Sequence, residues 1–335
     1  MELGTLSELV NTRSVIKHIR KHNKNVKQGA GIGNDFSLVD NIVSCEGVST
    51  VTYIAWVKAM NNLAVSYAKP VGVRIVILLP ESCDEAMVKL YMTQFNEFAD
   101  NEHIQILGGH TEVSRAYKYA SFVVTAYGCI TDMREDREDN RDASGAKKIK
   151  AGDSIIMLGH AGLMGTDIIA RKKIEKLSER FAYSYIKEAY FDGKEYAIKD
   201  KVGMLTDTFG EDILYMHDVS HGGIYGALWQ LGVKIRRGIR INNSDIPIKQ
   251  ETVEVCEFFN INPYMLDGTG AVLAVVRNDT YKLENMMIAG CPASVIGTVT
   301  DDNNRVVLLG NEDEPEQRFL SPINGDEIYK VIDRI

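Results

Sequence analysis

The stretch Met216-His217-Asp218-Val219-Ser220-His221-Gly222-Gly223-Ile224 carries the most information about the fold of this chain. A polar cluster is followed by paired glycines, and apolar residues then recur at helical spacing as far as Leu231. Paired glycines at a helix start let the backbone approach a ligand closely, and the free N–H groups there suit an anion such as phosphate. The alternative is an ordinary helix start with Asp218 or Ser220 as the N-cap.

The composition of the whole chain indicates which class of protein contains this stretch. The 335 residues suffice for two domains, and 45% hydrophobic with 25% charged residues is typical of a globular chain. A formal net charge of -8 argues against a nucleic-acid partner or an anionic membrane. No signal peptide and no membrane span is evident, so we expect a cytoplasmic protein. The five scattered cysteines lack zinc-site spacing, and we expect them to be reduced.

Apolar periodicity and glycine positions predict two units that each mix strands with helices. A charged segment, 132–142, separates them, so we place a boundary near residue 150, with domains 1–150 and 151–335. Without strict βαβ alternation, the pattern indicates an α+β architecture. The predicted helices are Thr50–Val65 and a helix from a capping box at Ser82–Glu85 to Ala99; the predicted strands are Val73–Leu79, Ile104–Leu107, Tyr119–Tyr127, Asp153–Leu158, Val272–Val276 and Ser294–Val299.

Six segments, in order, resemble one family, the aminoimidazole ribonucleotide (AIR) synthetase or PurM-related superfamily. It includes HypE hydrogenase maturation factors, which the chain resembles most, thiamine-monophosphate kinase and selenophosphate synthetase. The matching segments are Gly31–Asp35 (like G-x-G-D-D), Val57–Pro70 (like V-N-D-L-A-x-x-G-A-x-P), Gly108–Val113 (like G-G-H/D/E-T), Gly152–Ala170, His217–Leu228 (like H-D-V-T-x-G-G-x-x-x-A-L) and Ile261–Val275.

The resemblance implies a two-domain PurM-like fold. Its N-terminal β-sheet domain forms a barrel across a homodimer, and its C-terminal domain is an α/β sandwich. The resemblance also implies ATP and Mg²⁺ in a cleft beside the barrel. The residues it assigns to nucleotide and phosphate binding are Gly31, Gly33, Asn62, Gly108, Gly109, His110 and Thr111, and those it assigns to one metal ion are Asp35, Asp40 and Glu112.

Chemistry in this family uses ATP to phosphorylate a group or to turn an oxygen into a leaving group. By resemblance, Asp218 and His221 would line the cleft as acid–base residues, since a histidine titrates near neutrality. The substrate would be a small molecule or a group on a partner protein. The alternative for His221 is a structural residue at the helix start, paired with Asp218, and the alternative for His110 is a side chain that anchors its loop.

Three departures from the family pattern favour a second hypothesis. Asn34 and Asn62 stand where the family has aspartates, and Mg²⁺ prefers charged oxygen ligands. The sequence ends in Asp333-Arg334-Ile335, without the terminal cysteine that carries the carbamoyl group in HypE. The chain is then either an ATP-dependent enzyme of the HypE type or a degenerate, non-catalytic dimeric scaffold or regulatory protein with the same fold.

Overall fold

The computed structural model describes residues 3–19, 23–130, 149–278, 286–288, 291–310 and 315–332. They fall into two compact units. We call residues 23–29 and 35–130 the N-terminal unit, and residues 3–19, 30–34 and 149–332 the C-terminal unit. Among the helices described, none combines the length and hydropathy that crossing a membrane requires.

The N-terminal unit is built on one six-stranded sheet. Its spatial order is β1-β2-β3-β6-β4-β5, antiparallel throughout except for the parallel pair β4 and β5. A helix connects each of the two pairs β3–β4 and β4–β5. The strands are β1 Val26–Gln28, β2 Ser37–Val39, β3 Ile42–Ser49, β4 Lys69–Leu79, β5 Gln105–Val113 and β6 Ser121–Cys129, and the helices are α2 Thr52–Ala64 and α3 Glu85–Glu102.

One face of this sheet is the core of the N-terminal unit. Every second residue of the central strands points at α2 and α3, where Trp56, Phe95 and Phe122 form an aromatic cluster. Gly47 lets β3 approach α2 closely, because a Cβ there would lie 2.1 Å from the Ala55 carbonyl oxygen. The α3 N-cap is Asp84, whose carboxylate accepts from the Met87 N–H at 2.8 Å.

The opposite face of the sheet carries no helix of this unit. The side chains of Val48, Val123 and Val76 line up across β3, β6 and β4 on this face. Val48 is 61% exposed, and Ile42, further along β3, is 53% exposed. We call this surface the open face.

The C-terminal unit is built on an eight-stranded sheet in which β14-β13-β9-β12-β7-β10-β8 is the main order and β11 pairs with β12. The strands are β7 Ser154–Leu158, β8 Ile213–Val219, β9 Gly238–Asn242, β10 Ala271–Val276, β11 Met286–Ile288, β12 Cys291–Thr300, β13 Arg305–Leu309 and β14 Glu316–Phe319. The helices are α1 Glu8–Ser14, α4 Leu163–Lys172, α5 Ile174–Leu177, α6 Tyr183–Glu188, α7 Gly193–Tyr196, α8 Lys199–Phe209, α9 Gly223–Ile235 and α10 Gln250–Phe259.

Strand β10 lies in the core of the C-terminal unit, and this position explains why its sequence is a continuous apolar run. All six of its residues are buried, since it lies between β7 and β8 with layers on both faces. Leu228 and Leu231 of α9 pack on this sheet with Leu273 and Ile239. The helix therefore buries the stripe that its spacing predicted.

The α+β, two-domain architecture is confirmed, and the predicted helices and strands are present with shifted ends. The two units differ from the ranges 1–150 and 151–335 at residues 149–150 and at two segments nearer the N-terminus. Residues 3–19 and 30–34 group with the C-terminal unit, because their contacts are made there rather than with the six-stranded sheet. The charged segment 132–142 lies outside the described residues.

Candidate functional site

The stretch 216–224 forms the junction between β8 and α9 in the C-terminal unit. Asp218 lies within β8, opposite Val272 of β10, and is 4% exposed. Its neighbour His217 is equally buried, and the His217 Nε2 lies 3.0 Å from Oε1 of Gln230. The Gln230 amide in turn donates to Glu8 Oε1 at 2.5 Å, which connects α1 to this junction.

The paired glycines serve close backbone packing at the start of α9. The N-cap is Gly222 at φ +81°, so neither Asp218 nor Ser220 caps the helix as the sequence interpretation allowed. A Cβ on Gly223, at φ +62°, would lie 2.6 Å from the carbonyl oxygens of both Tyr264 and Leu266. A side chain is excluded there by the approach of another loop as well as by the left-handed backbone.

The anion at this helix start is a carboxylate of the chain itself. Asp326 has a side chain with no exposure, and its Oδ2 accepts from the Gly222 N–H at 2.7 Å. Its Oδ1 accepts from the N–H groups of Asp267 at 3.2 Å and Ile328 at 2.9 Å. The positive end of the helix thus faces Asp326, where the sequence had suggested a bound phosphate.

His221 sits beside the same carboxylate. Its Nδ1 lies 3.7 Å from Oδ2 of Asp326, and its ring lies 5.9 Å from that of Tyr329. The structural alternative paired His221 with Asp218. The structure instead brings up Asp326 from the C-terminal end of the chain. The acid–base role of Asp218 and His221 stays a prediction.

The glycine segment 31–34 packs on α9 and β8. The Gly33 carbonyl accepts from the Tyr215 hydroxyl at 2.6 Å, and Asn34 Oδ1 accepts from Lys234 Nζ at 2.5 Å. A Cβ on Gly33 would lie 3.0 Å from the Gln230 carbonyl oxygen. Gly33 thus has a packing role, while a nucleotide role for it and for Gly31 stays a prediction.

The segment Gly108–Thr111, which was expected to bind phosphate, is part of the edge strand β5. Residue Leu107 is extra in the pairing with β4, and Gly108, at φ +136°, follows it in a β-bulge. A Cβ on Gly109 would lie 1.7 Å from the Ile75 carbonyl oxygen, so this position needs glycine for strand pairing. Beyond it lie Thr111, which is exposed, and His110, whose Nε2 is 3.3 Å from Glu112 Oε2.

The three expected metal ligands do not share a site within one chain. Asp40 lies at the turn between β2 and β3, whereas Glu112 lies on β5 at the other edge of the sheet and near its other end. The sheet order places three inter-strand spacings between β3 and β5, and this lateral separation is already about 14 Å. Asp35 does not complete a metal site with them either. Within the parts of the chain that the structure describes, no group of three or more acidic, histidine or cysteine residues is arranged to hold a metal ion.

Sequence reasoning overlooked Glu46, which the structure places beside Asn62. The Asn62 amide Nδ2 donates to the Glu46 carbonyl oxygen at 3.2 Å and connects α2 to β3. In sequence, polar Ser44 and Glu46 alternate with buried Val43, Cys45 and Gly47, a period-two pattern that marks this strand and puts Glu46 on the open face. Asn62 is partly exposed, and the neighbouring Asn61 is the buried residue of the pair.

The loop that follows β7 contains a further histidine, His160. Burial, together with the Lys249 ammonium, lowers the pKa of His160 to about 4. Lys249 is itself paired with Glu195 at 2.9 Å. His160 is therefore neutral at pH 7.

Comparisons with known proteins agree with this architecture. The model of the AIR synthase related protein N-terminal domain matches residues 37–130, and that of the C-terminal domain matches residues 150–310. Carbamoyl dehydratase HypE of Bradyrhizobium diazoefficiens is 24% identical over 278 residues, covering 81% of this chain and 75% of that protein.

Two solved structures show the same fold. In the crystal structure of a HypE–HypF complex, the similar chain has a TM-score of 0.71 at 18% identity, with 94% of this chain and 99% of that chain covered. The hydrogenase maturation protein HypE in complex with ATP has a TM-score of 0.66 at 15% identity, with 98% and 94% covered. With both domain models matched in order across two mixed sheets, this chain belongs to the AIR synthase related protein family.

Proposed function

We propose that this protein binds ATP and uses it in a HypE-like reaction, the phosphorylation or dehydration of a small molecule or of a group on a partner protein. The observation that carries the proposal is the match of both family domains, in order, over residues 37–130 and 150–310. A neighbour with this fold was solved with ATP bound. We further propose that the protein acts as a homodimer in the cytoplasm.

The nucleotide would lie at the N-terminal unit, where β3 meets α2. The Asn62 amide and the Glu46 carbonyl already face each other there at 3.2 Å. The Glu46 carboxylate itself lies on the open face, on the side of β3 away from α2, so the groups at this junction are the Glu46 carbonyl and the Asn62 amide. Mg²⁺ would supply charge neutralisation of the phosphates, but the set Asp35, Asp40 and Glu112 does not fit one ion within a single chain.

A scaffold or regulatory role is the alternative, and specific observations favour it. The side-chain oxygen of Asn34 accepts a hydrogen bond from Lys234 Nζ at 2.5 Å, so Asn34 contributes to packing in the C-terminal unit. Asn62 is an amide where the family has a carboxylate. A protein of this kind would keep the fold and the dimer and would bind ATP weakly or not at all.

The substitution Asn62→Asp separates the two functions. If Mg-ATP binds beside α2, the new carboxylate strengthens metal-dependent binding about tenfold or more, since charged oxygens hold Mg²⁺ far better than amides. Without a metal, the variant loses the donor to the Glu46 carbonyl and becomes less stable by about 1 kcal/mol. Isothermal titration with ATP, with and without Mg²⁺, measures the first effect, and thermal melting measures the second.

Asn41→Asp is the matched control for this experiment. Asn41 lies at the turn before β3, and its amide contacts Cys129 Sγ rather than the β3–α2 junction. The Asn41→Asp substitution adds the same charge to the same unit, and we expect it to leave the ATP affinity unchanged. A wild type that gives no heat with millimolar Mg-ATP, and an Asn62→Asp variant that gains none, would exclude the enzyme and leave the scaffold.

A further inference from the structure

The C-terminal unit contains a cavity of about 730 Å³ that the proposed function does not use. It lies between the start of α9 and the segment that follows β14. Apolar and aromatic groups form much of its lining, among them Leu3, Tyr225, Met265, Phe319 and Tyr329. Tyr225 is stacked on Tyr264 with ring centroids 5.3 Å apart, which gives one wall a rigid, flat surface. This volume is within the range of small-molecule sites in proteins.

Four charged side chains line the cavity, and three of them have hydrogen-bond or ion-pair partners. The carboxylate of Asp326 accepts from three backbone N–H groups, as described above. Glu327 accepts from Lys330 Nζ at 2.6 Å and from the Asn262 N–H at 3.2 Å. Among the described residues, the remaining charged group, the guanidinium of Arg318 on β14, has no hydrogen-bond or ion-pair partner.

We propose that this cavity is a binding site for a small organic anion with a flat, apolar body. A guanidinium in this position selects a carboxylate or a phosphate, which it can bind through two parallel N–H donors. The ring of Tyr225 would contact the body of the ligand. The proposal does not depend on ATP binding, because every lining residue belongs to the C-terminal unit.

The charge balance of the lining argues against ATP as the occupant. Two cationic side chains, Arg318 and Lys330, face two carboxylates, Asp326 and Glu327, so the lining is neutral overall. Lys330 is already bound to Glu327. A triphosphate needs several cations or a metal ion, whereas a ligand with one carboxylate or one monoester phosphate needs only the group that Arg318 supplies.

Titration of the whole chain with three probes that share a ring system tests the proposal. The probes are 2-naphthoate, 2-naphthyl phosphate and the neutral 2-naphthamide. We expect at least one anion to bind tenfold or more tightly than the amide, because a charge-assisted bidentate contact is lost with the amide. Whichever anion binds more tightly identifies the oxyanion. Equal affinity for all three, or no heat from either anion at millimolar concentration, would overturn the proposal.

Two arginine variants locate the site. In Arg318→Gln the preference for the anion over the amide should vanish, while Arg240→Gln should behave as wild type. Both side chains are exposed on the same sheet, and Arg240 is outside the cavity. Retention of the anion preference in Arg318→Gln would refute the assignment. So would displacement of bound 2-naphthoate by ATP, since the cavity would then be part of a nucleotide site.

Discussion

Replacing Asp326 by alanine is expected to lower the free energy of unfolding of the C-terminal unit by about 3–5 kcal/mol. The change leaves three buried N–H groups, those of Gly222, Asp267 and Ile328, without their acceptor. It also removes the negative charge at the start of α9. Urea denaturation followed by tryptophan fluorescence measures the loss, because Trp229 lies on α9.

Asp301→Ala is the control for the Asp326 variant. The Asp301 side chain is 85% exposed and pairs with Arg237 at 3.0 Å on the surface. Such an exposed pair contributes little, so the variant should stay within about 0.5 kcal/mol of wild type. If Asp326→Ala is no less stable than this control, the carboxylate does not hold the α9 start together.

The substitution Val48→Lys is expected to convert a dimer into a monomer. Val48 lies on the open face of the N-terminal unit, in the row that continues through Val123 and Val76. Its 61% exposure means that a lysine costs the isolated chain little, whereas a buried ammonium in a dimer interface is strongly unfavourable. Light scattering should give about twice the 37.3 kDa chain mass for wild type and one chain mass for the variant.

Val253→Lys is the matched surface change, since Val253 is exposed on α10 of the C-terminal unit. It should leave the mass of the wild type unchanged. A wild-type mass of one chain at micromolar concentration would contradict the dimer. A dimer that survives Val48→Lys would place the interface away from the open face.

Local signals in the sequence were sufficient for most of the fold. The apolar runs in Val73–Leu79 and Val272–Val276 predicted β4 and β10. Only β10 is buried along its whole length, as a strand between two layers must be. The spacing of apolar residues after Gly223 predicted α9. The six ordered motif matches then indicated the family, which the two domain models confirm.

The candidate site was less predictable because its contacts join distant parts of the chain. Asp326 lies next to His221 only in the folded C-terminal unit, and nothing around residue 326 resembles a helix cap for α9. The pair Gly108-Gly109 looked like a loop, since glycine signals loops and bulges alike. Glu46 was not among the expected residues, because its position beside Asn62 depends on how β3 packs on α2.

The most direct test of the account is a crystal structure of the whole chain soaked with a non-hydrolysable ATP analogue and Mg²⁺. We expect nucleotide density at the N-terminal unit where β3 meets α2, beside Asn62 and the Glu46 carbonyl. We expect no nucleotide in the 730 Å³ cavity of the C-terminal unit. Density for the analogue in that cavity, or none at the β3–α2 junction at several millimolar analogue, would contradict it.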